Sequence, residues 1–308
     1  MKTAFVFPGQ GCQKPGMGKD LYERYPVAKK IFDNADSITG FPLTEIVFHG
    51  TEEDLKKTSI TQVAVLTVEI AIFEVLKEKG IIPAVCAGHS LGEYAALIAC
   101  GALNFEQALV LVQKRALFME EAGAKIPSGM TAVIGLNQEK IEGICKEVSS
   151  KGIIDIANFN TPGQIVISGE LKVLDEAARL AEEAGAKCVF LQVSGAFHSR
   201  LMEEASLRLA QEIRNVEIKA PQISFLSNVT GNYVKDPEEI RQLLIKQVNS
   251  PVRWIDIMEH IRSDADRIVE VGPGKVLSGL WRRFDRTKEV INVEDAETLE
   301  RVSASFNL

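Results

Sequence analysis

Short apolar runs alternate with longer segments whose apolar residues recur at helical spacing, from one end of the chain to the other. Thr3–Phe7 is such a run and reads as a buried strand, ending in the glycine-containing loop Pro8–Gln13. Lys19–Phe32 has the spacing of an amphipathic helix, and Asp36–Thr58, without clear period, reads as loop with short helices. Ile60–Lys79 predicts a long apolar core helix stopped by Gly80. A further apolar run ends at Gly88 and a helix opens at Glu93, stopping at Gly101. Between them stands Gly88-His89-Ser90-Leu91-Gly92. A strand turning sharply into a helix puts the middle residue of that pattern on display, and the glycines let the neighbouring chain come close. Asn104 caps a helix from Phe105 towards Ala122.

Gly123–Gly129, with Pro127, marks a boundary. Strand, helix, two strands, helix and strand follow over Thr131–Leu136, Gln138–Ser149, Ile153–Asn158, Gln164–Ser168, Leu171–Ala184 and Lys187–Val193. This βαββαβ order is ferredoxin-like, so residues 126–196 read as a small subdomain inserted into a larger one made of 1–125 and 197–308. Beyond Gly195–Ser199 come a helix with Leu201, Ala205, Leu209 and Ile213 on one face and the strand Ile223–Leu226. Helices Pro237–Gln247 and Pro251–Arg262 follow, then strand Arg267–Val271, helix Lys275–Phe284 and a last strand Val290–Val293. The fold class is α/β: a hydrolase-like parallel sheet covered on both faces, with the site at the strands' C-terminal ends.

Composition narrows the function classes. The 308 residues are 46% hydrophobic and 25% charged, with a net charge of −7, which argues against a general binder of nucleic acid or membrane surfaces. The longest uninterrupted apolar run, around Tyr94–Leu103, is short of the roughly 20 residues of a membrane span. The N-terminal run is broken at once by Pro8-Gly9, unlike a signal peptide. Five cysteines without a C-x-x-C pair read as reduced thiols of a cytoplasmic protein, without disulfides or metal. A monomer is expected.

Ser90 at the turn is the candidate nucleophile, and a serine needs a base. Of four histidines, His89 is adjacent and aimed elsewhere, His49 lies in a polar loop, and His260 sits mid-helix beside charges. His198 follows Gly195 in a short loop and is favoured. No aspartate stands out as a third member, so a carbonyl is expected to orient the ring. The amide of Leu91 is one oxyanion donor, and Gln10, in the loop leaving the probable central strand, is the second candidate. Arg115 falls on the apolar face with Leu111, Val112 and Met119. A guanidinium there costs on the order of several kcal/mol unless an anion meets it. Two readings stand: an internal ion pair, or a clamp for a substrate carboxylate or phosphate.

Taken together these pieces resemble one family, the malonyl-CoA:acyl carrier protein transacylases of fatty acid synthesis. The resemblance runs essentially end to end. It is carried by Phe7-Pro8-Gly9-Gln10-Gly11, by Gly88-His89-Ser90-Leu91-Gly92-Glu93 with Arg115 25 residues after the serine, and by Gly195-Ala196-Phe197-His198-Ser199. Asn160-Thr161-Pro162-Gly163-Gln164, Gln247 before Asn249-Ser250-Pro251-Val252, and Val271-Gly272-Pro273-Gly274 complete it. It implies a Ser90–His198 dyad with the Gln247 carbonyl steering the imidazole, oxyanion amides from Gln10 and Leu91, and Arg115 on the malonyl carboxylate. Met119, Phe197 and Asn160 are expected around the substrate, and Ala196-Phe197-His198 goes with malonyl rather than branched acyl groups. No cofactor is implied; the coenzyme A thioester is the substrate, and the partners are malonyl-CoA and acyl carrier protein. Lys187, Lys275, Arg282 and Arg283 are candidates for a basic patch that meets an acidic carrier. Cys12 departs from the family, which commonly has serine there. The rival readings are an esterase or thioesterase with water as acceptor and His260 as its late histidine, and a non-catalytic carrier-docking subunit.

Overall fold

The computed structural model describes residues 1–306. Five strands, β1 (Thr3–Phe7), β2 (Val85–Gly88), β7 (Ser224–Leu226), β8 (Arg267–Val271) and β9 (Glu289–Val293), form one sheet in the order β7-β2-β1-β8-β9. Every pairing in it is parallel, and β1 is central. Strands buried on both faces read as unbroken apolar runs, and β1 and β8 are buried at every position.

The other four strands, β3 (Ser128–Ile134), β4 (Ile154–Thr161), β5 (Gln164–Glu170) and β6 (Lys187–Phe190), make an antiparallel sheet in the order β4-β5-β3-β6. With helices Gln138–Val148 and Leu171–Glu183 packed together on it, this is the ferredoxin-like arrangement expected from the order of elements. The two sheets are tied by the extended segment at Val252, which exchanges backbone hydrogen bonds with Ala157 and Phe159 of β4.

Three helical expectations change. Lys19–Phe32 is two helices, Lys19–Arg24 and Pro26–Thr39. Pro26 pushes Tyr25 into extended backbone and starts a new helix at its first position. The helix expected from Pro251 begins only at Trp254, because Val252 is held against β4. A C-terminal helix, Ala296–Ser305, was not anticipated; Asp295 and Thr298 cap it reciprocally. His49 closes the short helix Leu43–His49 instead of lying in a loop. The helix Thr58–Glu78 alone among the described residues is long and apolar enough to cross a membrane, and it lies within the core.

Backbone meets backbone where β2 turns into helix Gly92–Ala99. A Cβ on Gly92 would stand 2.1 Å from the carbonyl oxygen of Phe7, and one on Gly88 would stand 1.9 Å from the carbonyl carbon of Gly92. Gly143, in helix Gln138–Val148, has open space around it. Gly92→Ala should therefore lose about 1–3 kcal/mol of stability by overpacking. Gly143→Ala should gain about 0.5–1 kcal/mol through helix propensity. Urea unfolding midpoints check both, and a fall for both or a rise for both would contradict the packing argument.

Candidate active site

The C-terminal ends of β1, β2 and β7 converge on one point. From β1 leaves the Pro8–Gln13 loop, which runs so close to the elbow that a Cβ on Gly9 would be 2.6 Å from the His89 carbonyl oxygen. From β2 leaves the elbow itself. Ser90 has φ +53° and His198 +59°, and among the described residues no other non-glycine has positive φ. Such backbone costs about 1–3 kcal/mol per residue and persists only where neighbours hold it. At Ser90 the holder is Asn228, just beyond β7: its Oδ1 accepts from the Ser90 N–H at 2.7 Å, and its Nδ2 donates to the Gly88 carbonyl at 2.6 Å. At His198 the backbone N–H donates to the Val248 carbonyl.

Ser90 Oγ and His198 Nε2 are 2.7 Å apart. His198 Nδ1 faces two carbonyl oxygens, Gln247 O at 2.9 Å and Ser250 O at 3.1 Å. Carbonyls only accept, so Nδ1 carries the proton and Nε2 turns its lone pair to the serine. Burial first, then the nearby Arg115 cation, pull the imidazole down to about 3, so the ring is neutral at physiological pH. The arrangement can take a proton from Ser90 without an aspartate.

Arg115 is buried and holds no carboxylate within salt-bridge distance among the described residues. Its partners are uncharged: Nη1 donates to Gln62 Oε1 at 2.6 Å, and Nη2 to Gln247 Oε1 at 2.9 Å and to Ser90 Oγ at 3.1 Å. Its Nε is buried without an acceptor. The internal ion pair is thus not formed, although burial still lowers the guanidinium pKa. Glu93, also buried, stands behind Gln247, whose Nε2 donates to Glu93 Oε2 at 2.5 Å and to the Ser90 carbonyl at 2.7 Å.

A cavity of about 270 Å³ opens between the two sheets, and Gln10, Ser90, Leu91, Arg115, Met119, Asn160, Phe197 and His198 all line it. Gln247 does not; it sits behind the wall, joined to His198 through its carbonyl and to Arg115 through its side chain. The amides of Gln10 and Leu91 have no acceptor among the described residues, while the Gln10 side chain reaches Thr58 Oγ1. Met119 Sδ takes the Gln62 amide at 3.6 Å. Asn160 meets His89 Nε2 at 3.0 Å, and the His89 ring packs against Trp254. His260 lies outside, edge-on to Tyr233, and His49 pairs with Glu45. Cys12 is buried, and burial raises its thiol pKa well above the usual range.

Four residues of this site escape a reading of the sequence: Gln62, Glu93, Asn228 and the side chain of Gln247. Gln62 had a signal, a polar residue inside the apolar helix, as Arg115 did. Asn228 had a weaker one, its place just after a short strand.

The chain is similar to known proteins over nearly its whole length. The acyl transferase domain family matches residues 4–301. A malonyl CoA-acyl carrier protein transacylase of Bacillus subtilis is 44% identical over 302 residues, covering 97% of this chain and 95% of that protein. The crystal structure of one from Clostridium perfringens superposes with a TM-score of 0.95 at 38% identity, over 100% of this chain and 98% of the other. A malonyl-transacylase in complex with a type II PKS acyl-carrier protein superposes with a TM-score of 0.96 at 39% identity, over 99% of this chain and 100% of the other. On that evidence the chain belongs to the malonyl CoA-acyl carrier protein transacylase family.

Proposed function

We propose that Ser90, His198 and Arg115 carry a ping-pong transfer in which malonyl passes from coenzyme A to acyl carrier protein. The chain transfers the malonyl group of malonyl-CoA to acyl carrier protein for fatty acid synthesis. The observation that carries the assignment of residues is the shared atom: Ser90 Oγ lies 2.7 Å from a neutral imidazole and 3.1 Å from a buried guanidinium that no carboxylate pairs among the described residues.

In the first half-reaction His198 Nε2 takes the Ser90 proton while Oγ bonds to the thioester carbonyl carbon. The Gln10 and Leu91 amides receive the negative charge that develops on the oxygen. The carbon–sulfur bond then breaks, and coenzyme A leaves as a thiol with the proton from His198. Malonyl stays as an ester on Ser90, with its free carboxylate on Arg115. The phosphopantetheine thiol of the carrier gives its proton to His198, attacks the ester by the same path, and leaves Ser90 protonated again.

Residues 1–125 and 197–308 supply the dyad, the amides and Arg115; residues 126–196 supply the cavity's other wall through Met130, Asn160 and Val166. The carrier docks beside helix Val276–Phe284. This helix turns Leu277 and Leu280 to the cavity and leaves Arg282 and Arg283 exposed, next to Arg286 and Lys288. Lys187 shares a groove with Arg283, whereas Lys275 is already drawn to Glu294. Unpaired cysteines fit the reducing cytoplasm, and a site completed within one chain fits a monomer.

Incubation with malonyl-CoA should add one malonyl mass, mapped to Ser90 by peptide analysis and absent in Ser90→Ala. A full-level adduct in that variant, or release of the group to water as fast as to carrier thiol, would overturn the reading.

Arg115→Ala should lower malonyl kcat/KM about 10²–10³-fold, because a charge-assisted contact to a buried partner is lost. Acetyl-CoA, which has no carboxylate, should be used as well or better. Lysine should restore malonyl transfer only in part, since an ammonium lacks the planar two-pronged donor set. Equal loss for both substrates would make Arg115 structural.

With the folded-state pKa of His198 held down to about 3, the base is already unprotonated throughout the range from about pH 5 to pH 8. The rate of Ser90 acetylation should therefore be level across that range. A limb near the ordinary histidine value, about 6.5, would contradict the burial argument.

A further inference from the structure

Glu93 is a carboxylate buried in the helix that starts at the elbow, and the transfer steps above make no use of it. Both its oxygens accept: Oε1 from the Asn228 backbone N–H at 3.0 Å, and Oε2 from Gln247 Nε2 at 2.5 Å. Gln247 presents its other end, Oε1, to Arg115 at 2.9 Å. A guanidinium only donates and an ionised carboxylate only accepts. An amide between them has one orientation in which every contact pairs a donor with an acceptor. We propose that Glu93 is the positioning residue of the clamp: its ionised carboxylate fixes the Gln247 amide, which then fixes Arg115 and the preference for a carboxylate-bearing acyl group. The inference rests on the reading of Arg115 as the malonyl clamp.

The same contacts make the device depend on charge. The Asn228 N–H cannot rotate, so a proton arriving on Glu93 must sit on Oε2. Gln247 would then turn to accept it, bringing its NH₂ towards Arg115 and withdrawing it from the Ser90 carbonyl. Burial pushes Glu93 up to about 7, opposed by the hydrogen bonds from Gln247 and Asn228 and by the pull of Arg115. The other groups facing it are Tyr94 from its own helix and Ser227 beside Asn228. With its folded pKa raised, Glu93 is ionised above about pH 7 and becomes protonated below it, so preference for malonyl is full on the alkaline side and falls as pH drops. His198 stays neutral throughout this interval.

The test measures acylation of Ser90 by malonyl-CoA and by acetyl-CoA in the wild type, Glu93→Gln and Arg115→Ala, between about pH 8 and pH 6. A glutamine at 93 can satisfy only one of the two donors that face it. Glu93→Gln should therefore lower malonyl kcat/KM about 10–100-fold, through KM and kcat together, and change acetyl by less than about threefold. The wild-type malonyl-to-acetyl ratio should fall on acidification, and that of Glu93→Gln should be level. Loss of both substrates together in Glu93→Gln, or an unchanged ratio, overturns the proposal. Should Glu93→Gln fail to fold, the wild-type ratio decides alone, and a level ratio overturns the proposal. Arg115→Ala separates the two readings: a ratio unchanged there sinks the clamp itself, whereas collapse there with none in Glu93→Gln sinks only the positioning role.

Discussion

The site depends on a cation that is buried without a carboxylate in direct contact among the described residues. Isolating a charge from water is costly, and removing one partner of a buried pair costs about 3–5 kcal/mol. Here the compensation is made of dipoles: the amide oxygens of Gln62 and Gln247 and the hydroxyl of Ser90 all point lone pairs at Arg115. Dipoles stabilise a cation less than a carboxylate does, which leaves attraction for an anion that enters the cavity. The same cation reaches His198 and helps hold the ring neutral. In the proposed mechanism one buried guanidinium therefore bears on acyl selection and on the readiness of the base.

Bringing a hydroxyl and an imidazole together beside that cation uses backbone that most residues avoid. Ser90 and His198 both lie at positive φ, and the two are in contact. Each is held from a different part of the chain, Ser90 by Asn228 and His198 by the carbonyls of Gln247, Val248 and Ser250. Strand β7 and the turn after Lys246 are remote in sequence from the elbow, so the geometry of Ser90 and His198 is a property of the folded chain and not of the motif. The glycines mark the same constraint from the other side: at Gly88 and Gly92 there is no room for one more carbon.

Much of this was legible in the sequence, for reasons that differ by element. Parallel strands buried on both faces leave apolar runs too plain to miss, and β1, β2 and β8 were found where the runs lie. The βαββαβ order announced the small sheet because strand and helix periods alternate cleanly there. Ser90 and Arg115 were legible because each breaks a local rule, a serine between glycines and a charge on an apolar stripe. What was hidden depended on partners far away in the chain. Asn228 looks like an ordinary loop residue until its amide is seen bonded to both sides of the elbow. Glu93 reads as a helix-opening acid, and nothing near it in sequence says that it is buried. The break at Pro26 and the missed helix capped by Asp295 and Thr298 have local causes that the pattern contained, whereas the late start at Trp254 depends on Val252 being held against remote β4.

The resting contacts of Ser90 Oγ also oppose each other. Donating to a neutral imidazole makes a hydroxyl oxygen more nucleophilic, and accepting from a guanidinium draws its electrons away. Ser90 does both, at 2.7 Å and 3.1 Å. A carboxylate that draws Nη2 to itself would leave the hydroxyl with His198 alone. An acyl group without one leaves the guanidinium on the serine, where it opposes attack. Under the proposed roles, the feature that distinguishes malonyl from a neutral acyl group acts on the nucleophile as well as on binding. Geometry permits this because clamp and nucleophile meet at one oxygen, with Gln247 behind them joined to Arg115, to the Ser90 carbonyl and to His198. A separate specificity pocket could change affinity alone; a clamp that shares an atom with the nucleophile, as proposed for Arg115 and Ser90, would couple affinity to rate.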